Sequence, residues 1–286
     1  MVLEYMVTLE EMDYPVIISD EPEALLAAKA AGRAIIGVET YGNNWDFKDV
    51  PYAVPDFKDV TEELAVLVLR RHLGLPWIIA VTERLVIREF VREDAGRIPE
   101  EEYSREEHVF RSPEQMAGYI EKQYGFYEYG TWALTEKDSG TLVGMAGVSN
   151  PRLPGYMERL LEEGETDCHG NPKEADPHVK QALLTPASPP LPWLELGYHI
   201  FRPYRCMGYA AEAVSAVMDY AHEVLEVRLC ALIDAKNQAS RALAECLGMR
   251  CAAADDPRLT GTGTQSSKEL LLYVENRLPP PDREDP

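Results

Sequence analysis

The residues whose types and spacing best suit ligand binding or catalysis lie between positions 194 and 210. Leu194–Phe201 has the pattern of a β-strand, and after an Arg-Pro-Tyr turn the hexapeptide Arg205–Ala210 opens a long helical pattern. Main-chain N–H groups at a helix start have no intrahelical partner and lie at the positive end of the helix dipole. Gly208 has no Cβ to keep an anion away from the main chain. We therefore predict that the N–H groups of residues 206–210 bind a phosphate or diphosphate, with an ordinary helix start as the alternative.

The elements that position this turn are predicted strands and helices in alternating groups. Asp138-Ser139-Gly140 between two apolar runs predicts a tight hairpin. Residues 92–125 are acidic and are predicted to be helical. The other predicted elements are the strands Arg84–Val91, Thr131–Thr135, Leu142–Val148, Trp193–Phe201, Val227–Ile233 and Lys268–Val274, and the helices Cys206–Leu225 and Gln238–Leu247.

Residues 1–82 show a separate alternation of strand and helix, which predicts a small parallel α/β unit. Asp20 is expected to be the N-cap of the first helix, and Asp59 or Thr61 that of the second. The predicted elements are the strands Val16–Ser19, Ala34–Val38 and Tyr52–Val54, a helix through Ala24–Ala31 and a helix that ends at Leu73.

Composition shifts divide the chain into an accessory α/β domain over 1–82, a second domain over 83–276 and a tail over 277–286. The tail is rich in proline and charge and is predicted to be disordered. Residues 151–192 are rich in Pro, Gly and charged side chains, and we interpret them as a long insertion within the second domain.

The overall composition excludes several classes of partner. The 286 residues include 28 Lys and Arg against 49 Asp and Glu, a formal net charge of −21. Nucleic acids and anionic membrane surfaces attract basic proteins, so neither is expected as a partner. The acidic N-terminus does not resemble a signal peptide, and no apolar run approaches the ~20 residues of a membrane helix. Five cysteines without a CxxC pair indicate a reduced, cytoplasmic protein, and since Cys168 and His178 fit no zinc spacing, no metal site is expected.

Three ordered motifs carry a family resemblance. Arg205–Ala210 is followed by a strand, then by Asn237-Gln-Ala-Ser240, then by a helix that ends at Leu247-Gly-Met249. In this order they resemble the GNAT superfamily of acyl-CoA N-acyltransferases, most closely the subgroup with the ribosomal-protein N-terminal acetyltransferases. The resemblance covers residues 83–276 and implies an α/β (α+β) fold, a mixed central sheet flanked by helices.

The same resemblance implies a reaction and a cosubstrate. Acetyl-CoA would be the acyl donor, and the acceptor would be a primary amine of a small molecule or of a protein N-terminus, attacking the thioester directly. No metal is implied. The alternative that we keep open is a non-catalytic acyl-CoA sensor or assembly module.

Each motif residue acquires an implied role in binding acetyl-CoA. The main-chain N–H groups of residues 206–210 would hold the diphosphate, and the strand edge at 198–201 would pair with the pantetheine arm. Asn237 and Ser240 would face the pantetheine or the thiol, although both residue types are also favoured at helix N-caps. The residues expected to bind the cosubstrate are Tyr198, His199, Ile200, Phe201, Arg205, Cys206, Met207, Gly208, Tyr209, Ala210 and Asn237.

Glu195 is the best candidate for the base that removes a proton from the amine. It occupies the strand position at which some family members keep a catalytic Glu. Leu194 and Leu196, which flank it, are expected to desolvate the carboxylate and raise its pKa. A solvated Glu at a strand end is the alternative. His199 lies on the same face of the strand and is the second candidate.

The group that protonates the leaving thiolate is less clearly marked. Many family members carry a Tyr in the short last helix, but Ala244 stands at that position here. Ser240 or Cys246 would take its place, or the thiolate would leave unprotonated, since a thiol pKa near 8.5 permits it. We name Ser240 as the second catalytic residue.

Residues 14–75 show a weak resemblance to a fragment of a haloacid dehalogenase-like fold. The aspartate nucleophile motif DxDxT of that family is absent from the sequence. We therefore expect no phosphatase activity from this segment. A structural or substrate-shaping role is expected instead, or a role in forming a homodimer.

Overall fold

The computed structural model describes residues 1–39, 50–102, 110–163, 191–252 and 270–275. The predicted tail over 277–286 and residues 164–190 of the predicted insertion lie outside the described residues.

Two compact units make up the structure. Unit 1 comprises Met1–Ile78 and Arg88–Glu128, and unit 2 comprises Ile79–Ile87 and Tyr129–Pro286. The expected boundary at 82/83 would leave residues 88–128 with the second domain, whereas their contacts group them with unit 1. One such contact is the main-chain hydrogen bond from Glu89 N–H to the Trp77 carbonyl, at 2.9 Å.

Unit 1 contains a four-stranded sheet in the order β1-β2-β3-β4. β2, β3 and β4 are parallel, as the sequence predicts, while β1 adds an antiparallel hairpin that the sequence analysis missed. The strands of this sheet pack against two helices, and the core between them includes Ile18, Ile36 and Leu69. The elements are β1 Val2–Leu9, β2 Met12–Ser19, α1 Pro22–Ala30, β3 Ala34–Val38, β4 Ala53–Val54 and α2 Glu62–His72.

The helix caps of unit 1 test two predictions. Thr61 caps α2, because its hydroxyl accepts a hydrogen bond from Leu64 N–H at 3.2 Å, and that prediction is confirmed. The prediction that Asp20 caps α1 is wrong. The N-cap is Glu21, with no side-chain cap, and the Asp20 carboxylate instead accepts a hydrogen bond from the amino group of Met1.

Residues 88–128 are only partly helical in the manner predicted, because short 3₁₀ and π segments interrupt them. Ser112 caps the α-helix in this region by accepting a hydrogen bond from Gln115 N–H at 3.2 Å. The elements are 3₁₀ turns at Arg92–Arg97 and Glu100–Glu102, α3 Pro113–Tyr119, a π-helical turn at Ile120–Tyr124 and α4 Gly125–Tyr127.

Unit 2 is built on an eight-stranded mixed sheet in the order β11-β12-β10-β9-β8-β7-β6-β5. β9 is antiparallel to β8 and parallel to β10. The predicted hairpin is confirmed as β7 and β8, with Gly140 at a left-handed φ of +65°. The elements are β5 Ile78–Val81, β6 Leu85–Arg88, β7 Thr131–Glu136, β8 Leu142–Ser149, α5 Gly155–Glu163, β9 Trp193–Ile200, α6 Tyr209–Glu223, β10 Arg228–Asp234, α7 Gln238–Cys246, β11 Met249–Cys251 and β12 Leu270–Glu275.

Helix α6 supplies a large part of the core of unit 2. Its apolar residues recur at helical spacing, and Ala213, Val217 and Ala221 are fully buried. Trp132 of β7 is also fully buried and meets Tyr220 edge to face, with ring centroids 5.4 Å apart. In the part of the chain that the structure describes, no helix is both long and apolar enough to cross a membrane.

Candidate active site

The site begins where β9 and β10 separate. Their pairing covers only Trp193–Glu195 against Arg228–Cys230, although both strands continue beyond it. β9 remains paired to β8 as far as Ile200. The residues of β9 that follow Glu195 therefore have one edge without a registered partner among the described strands, and main-chain groups at such an edge can pair with an extended ligand.

The turn after β9 has a backbone suited to an anion. Cys206 and Gly208 both have left-handed φ angles, +62° and +85°, and α6 begins at the next residue with Gly208 as its N-cap. Left-handed residues alternating with right-handed ones turn successive N–H groups towards a common point. A non-glycine residue such as Cys206 pays roughly 1–2 kcal/mol for this conformation, and such local strain is concentrated at functional sites.

A network of side chains from the loop between β5 and β6 holds this turn in place. The Arg84 guanidinium donates to the Met207 carbonyl at 2.8 Å and to the Glu212 carboxylate at 2.7 Å, and it lies 4.6 Å from the centre of the Tyr209 ring. Glu212 also accepts from the Thr82 hydroxyl at 2.6 Å. These bonds fix the turn and the first helical turn of α6 against the sheet.

A second contact holds the start of α6 to the hairpin. The Tyr209 hydroxyl donates to Glu136 at 2.5 Å, and Ser139 donates to the same carboxylate at 2.6 Å. The hydrogen bonds from Ser139 and Tyr209 lower the pKa of Glu136, and its carboxylate in turn raises the pKa of Tyr209. Glu136 is therefore ionised at neutral pH and acts as a fixed acceptor.

A cavity of about 520 Å³ lies along β9, the turn, α6 and α7. Of the predicted cosubstrate-binding residues, Phe201 and Met207 do not line it, because Phe201 is buried in the core and Met207 projects into solvent. Sequence analysis missed Tyr204, Ala211, Ala239 and Leu243. The predicted residues that the cavity brings together are Tyr198, His199, Ile200, Arg205, Cys206, Gly208, Tyr209, Ala210, Asn237 and Ser240.

A smaller cavity of about 220 Å³ lies beside the first and contains Glu195. The two share four lining residues, Tyr198, Asn237, Ser240 and Leu243. The predicted phosphate-binding turn and the predicted base thus line two cavities that meet at one set of side chains. Leu243 follows Ser240 by three residues, a helical spacing that would have identified it from the sequence.

The surroundings of Glu195 favour a proton acceptor. Its side chain is half-buried. Burial raises the pKa of Glu195, while a hydrogen bond from Arg152 N–H, at 3.4 Å, and the charge of Arg152 act in the opposite direction. Cys230 lies beside Glu195 in the strand register, and burial, aided by the Glu195 charge, raises the pKa of that thiol to about 12. Cys230 is therefore neutral, and it lies in a hydrophobic cluster with Met157 and Leu272 rather than in the lining of either cavity.

The two histidines considered in the sequence occupy different surroundings. His199 is half-buried and lines the larger cavity but not the one that contains Glu195; its ring centroid lies 5.9 Å from that of Phe201. His222 on α6 lies 2.6 Å from the Glu275 carboxylate, an interaction within unit 2 that accounts for it structurally.

Of the two residues that the sequence offered as helix caps, Asn237 has that role, and Ser240 lies in the first turn of the helix. The Asn237 side chain caps α7 by accepting a hydrogen bond from Ser240 N–H at 3.2 Å. Tyr198 and Ser240 both line the two cavities; burial raises the pKa of Tyr198, and the interaction with Ser240 acts in the opposite direction. Ala244 is buried, and the exposed Cys246 lines neither cavity.

The residues at the turn fit the diphosphate of a nucleotide thioester. At Gly208 the φ of +85° is one that L side chains rarely adopt, and a Cβ there would lie only 3.2 Å from the Arg84 guanidinium. Among the described residues, no cluster of three or more His, Cys, Asp or Glu side chains is arranged to hold a metal ion.

Comparison with known proteins places this geometry in a family. A family model described as an acetyltransferase (GNAT) domain matches residues 84–250, more than half of the chain. No curated protein matches the sequence.

The solved structures that match include the following three acetyltransferases, two of them with a named bacterial source. A GNAT-family acetyltransferase from Bacillus anthracis is 18% identical, with a TM-score of 0.40 over 68% of this chain and 95% of that one. A ribosomal-protein-S5-alanine acetyltransferase from Vibrio fischeri is 13% identical, with a TM-score of 0.42 over 70% and 94%. A ribosomal L7/L12 α-N-protein acetyltransferase in complex with coenzyme A is 12% identical, with a TM-score of 0.41 over 70% and 97%.

The family match spans the hairpin, the turn after β9 and both helices that line the cavities. The chain belongs to the GNAT acetyltransferase family.

Proposed function

We propose that this protein is a cytoplasmic N-acetyltransferase that moves an acetyl group from acetyl-CoA to a primary amine, either of a small molecule or of a protein N-terminus. The observation that carries the proposal is the meeting of two cavities at Tyr198 and Ser240, one containing the turn at Gly208 and the other containing Glu195. A donor held by the turn and an amine beside Glu195 would face each other there.

The donor would be held mainly by main-chain groups. The N–H groups of residues 206–210 would bind the diphosphate, since the left-handed backbone and the helix dipole favour an anion. The open edge of β9 would bond the amides of the pantetheine arm. One N–H of that edge would also stabilise the negative charge that develops on the thioester oxygen.

The acceptor must lose a proton before it can attack. An alkylammonium has a pKa near 10.4, so well under ~1% is neutral at pH 7. Glu195 lies beside the space available to an amine, and its raised pKa brings it nearer to the working pH of a general base. A cationic acceptor is also consistent with the net charge of −21.

A direct assay tests this function. Purified protein is incubated with acetyl-CoA and a panel of amines that includes small polyamines and peptides with free N-termini, and release of the coenzyme A thiol is followed. We expect thiol release that requires an amine and yields one acetylated product per thiol.

The matched control is the same mixture without an amine, which measures hydrolysis alone. Tight binding of acetyl-CoA with no turnover on any member of the panel would contradict transfer and support a sensor instead.

A further inference from the structure

The leaving sulfur of acetyl-CoA lacks an evident proton donor in the last helix. Ala244 is buried and carries no ionisable group, and Cys246 is exposed outside both cavities. Ser240 lines both cavities, but an alcohol is a much weaker acid than a phenol. The remaining hydroxyl among the residues that line both cavities is that of Tyr198.

Resting on the proposed function, we propose that the Tyr198 hydroxyl is the general acid that returns a proton to the coenzyme A sulfur, and that Ser240 positions it. Tyr198 lines both the cavity of the phosphate-binding turn and the cavity of Glu195. Its side chain is half-buried, and it shares both cavities with Ser240, whose main chain is fixed by the Asn237 cap. The phenol is therefore accessible to a ligand from either cavity.

The strand places acid and base on opposite sides. Successive side chains of a strand alternate between faces, so Glu195 and Tyr198, three positions apart, belong to opposite faces of β9. An amine that approaches on the face of Glu195 would expel the sulfur towards the face of Tyr198. This arrangement lets the two proton transfers occur without competition for one group.

The proton balance closes with these two residues. Glu195 takes the first proton of the ammonium, directly or through water, and passes it to solvent. The lone pair of the neutral amine then forms the C–N bond, and the second proton that the nitrogen loses passes to the Glu195 carboxylate. The C–S bond breaks with its electron pair on sulfur, which takes the proton of the Tyr198 hydroxyl. Exchange with water returns a proton to the phenolate and removes one from Glu195, so both residues are restored. Burial raises the pKa of Tyr198 and the interaction with Ser240 opposes this, so the phenol keeps its proton at neutral pH.

Tyr198→Phe tests the proposal. We expect kcat to fall at least about tenfold, since a general acid contributes roughly 10²–10⁴-fold and a thiolate is a fair leaving group. The KM for acetyl-CoA and the affinity for coenzyme A by calorimetry should stay within about twofold. Calorimetry also establishes that the variant is folded. Tyr198→His, which keeps a proton donor, should lose less of kcat and is the second variant if the phenylalanine form does not fold.

Ser240 needs a readout that a purely structural role would not move. Ser240→Ala should lower kcat less than Tyr198→Phe does, Ser240→Thr should restore most of it, and the double variant should be no slower than Tyr198→Phe alone, because the two hydroxyls act as one unit. The matched control is Tyr273→Phe, which removes a phenol hydroxyl bonded to Glu245 at 3.0 Å, outside both cavities.

Three outcomes would overturn the assignment. In the first, kcat of Tyr198→Phe stays within twofold of wild type. In the second, the KM for acetyl-CoA rises while kcat is unchanged, which makes Tyr198 a binding residue. In the third, Ser240→Ala is the slower variant. Absence of turnover by the wild-type protein on every amine would instead contradict the proposed function itself, together with this assignment.

Discussion

Two strand-to-helix junctions in this molecule share a local topology and differ in electrostatics. The junction between β2 and α1 carries Asp20 and Glu21 followed by Pro22, and both carboxylates bind the amino group of Met1. The junction between β9 and α6 has no acidic residue from Phe201 to Ala211 and has left-handed φ angles at Cys206 and Gly208.

The difference predicts what the start of a helix requires in order to bind an anion. Both helices have a positive N-terminal end, but at α1 the acidic side chains already neutralise it and Pro22 lacks an N–H. At α6 the acid of the first turn, Glu212, is paired with Arg84, and the turn before it carries Arg205 and no acid. The sequence around the turn therefore matters more than the helix that follows it.

The largest expected effect tests this comparison at its centre. Gly208→Glu should abolish coenzyme A binding, because the new side chain fills and charges the space above the turn. Isothermal calorimetry measures the affinity. Gly32→Glu is the matched control, since Gly32 has a similar left-handed φ of +70° and open space around it. Both substitutions place a side chain at a similar left-handed φ, so coenzyme A binding by Gly208→Glu would refute the site.

The second prediction concerns an arginine of unit 1 whose role is stability. Arg71 is paired with Glu89 at 2.5 Å, and both side chains are largely buried. Arg71→Gln leaves an uncompensated buried charge and should cost about 3–5 kcal/mol in the free energy of unfolding, measured in urea. Arg33→Gln, which breaks an exposed pair with Glu4, should cost under about 1 kcal/mol. Equal losses of unfolding free energy in the two variants would show that burial of the ion pair does not decide the size of the effect.

The third prediction concerns the base. Glu195→Gln should lower kcat about 100-fold, which is the low end of the range for general acid–base catalysis. The affinity for coenzyme A should be unchanged. Because only the ionised carboxylate accepts a proton and burial raises the pKa of Glu195, wild-type kcat should fall as pH drops through that raised pKa.

The readout for the base is the kcat–pH profile between pH 4 and 9. In Glu195→Gln the fall at acidic pH should disappear. Glu23→Gln, at an exposed position in the first turn of α1, is the control and should keep the wild-type profile. A kcat within twofold of wild type would remove Glu195 from the mechanism.

The smallest expected effect concerns Arg84. Arg84→Gln loses the bonds to Met207 and Glu212 that brace the turn. Since this guanidinium is partly exposed, we expect the binding of acetyl-CoA to weaken by about 1 kcal/mol. This corresponds to roughly a fivefold rise in the KM for acetyl-CoA, with kcat unchanged. Arg92→Gln, which breaks an exposed pair in unit 1, should leave both constants unchanged. A fall in kcat alone would place Arg84 in the chemistry rather than in the brace.

Local signals in the sequence were sufficient for much of the fold. The Thr61 cap, the hairpin at Gly140 and the helix after Gly208 each depend on a few neighbouring residues, and the structure confirms them. β1 was missed because Val2–Leu9 is mostly exposed and shows no clear apolar alternation. Asp20 was misassigned because its partner, the amino group of Met1, comes from the far end of a hairpin.

The parts of the site that the sequence could not provide depend on distant pairs. Arg84 and Glu212 are 128 positions apart, and no periodicity joins them. The position of Tyr198 and Ser240 between the two cavities likewise requires the separation of β9 from β10, which only the strand register reveals. Motif order identified the turn, whereas the side chains that brace it and meet beside it required the fold.

The most direct test of the whole account is a crystal structure of this protein with coenzyme A bound. We expect the diphosphate to accept hydrogen bonds from the N–H groups of residues 206–210 and the pantetheine arm to lie along the open edge of β9. A diphosphate bound elsewhere on the chain, with the turn at Gly208 empty, would contradict the account.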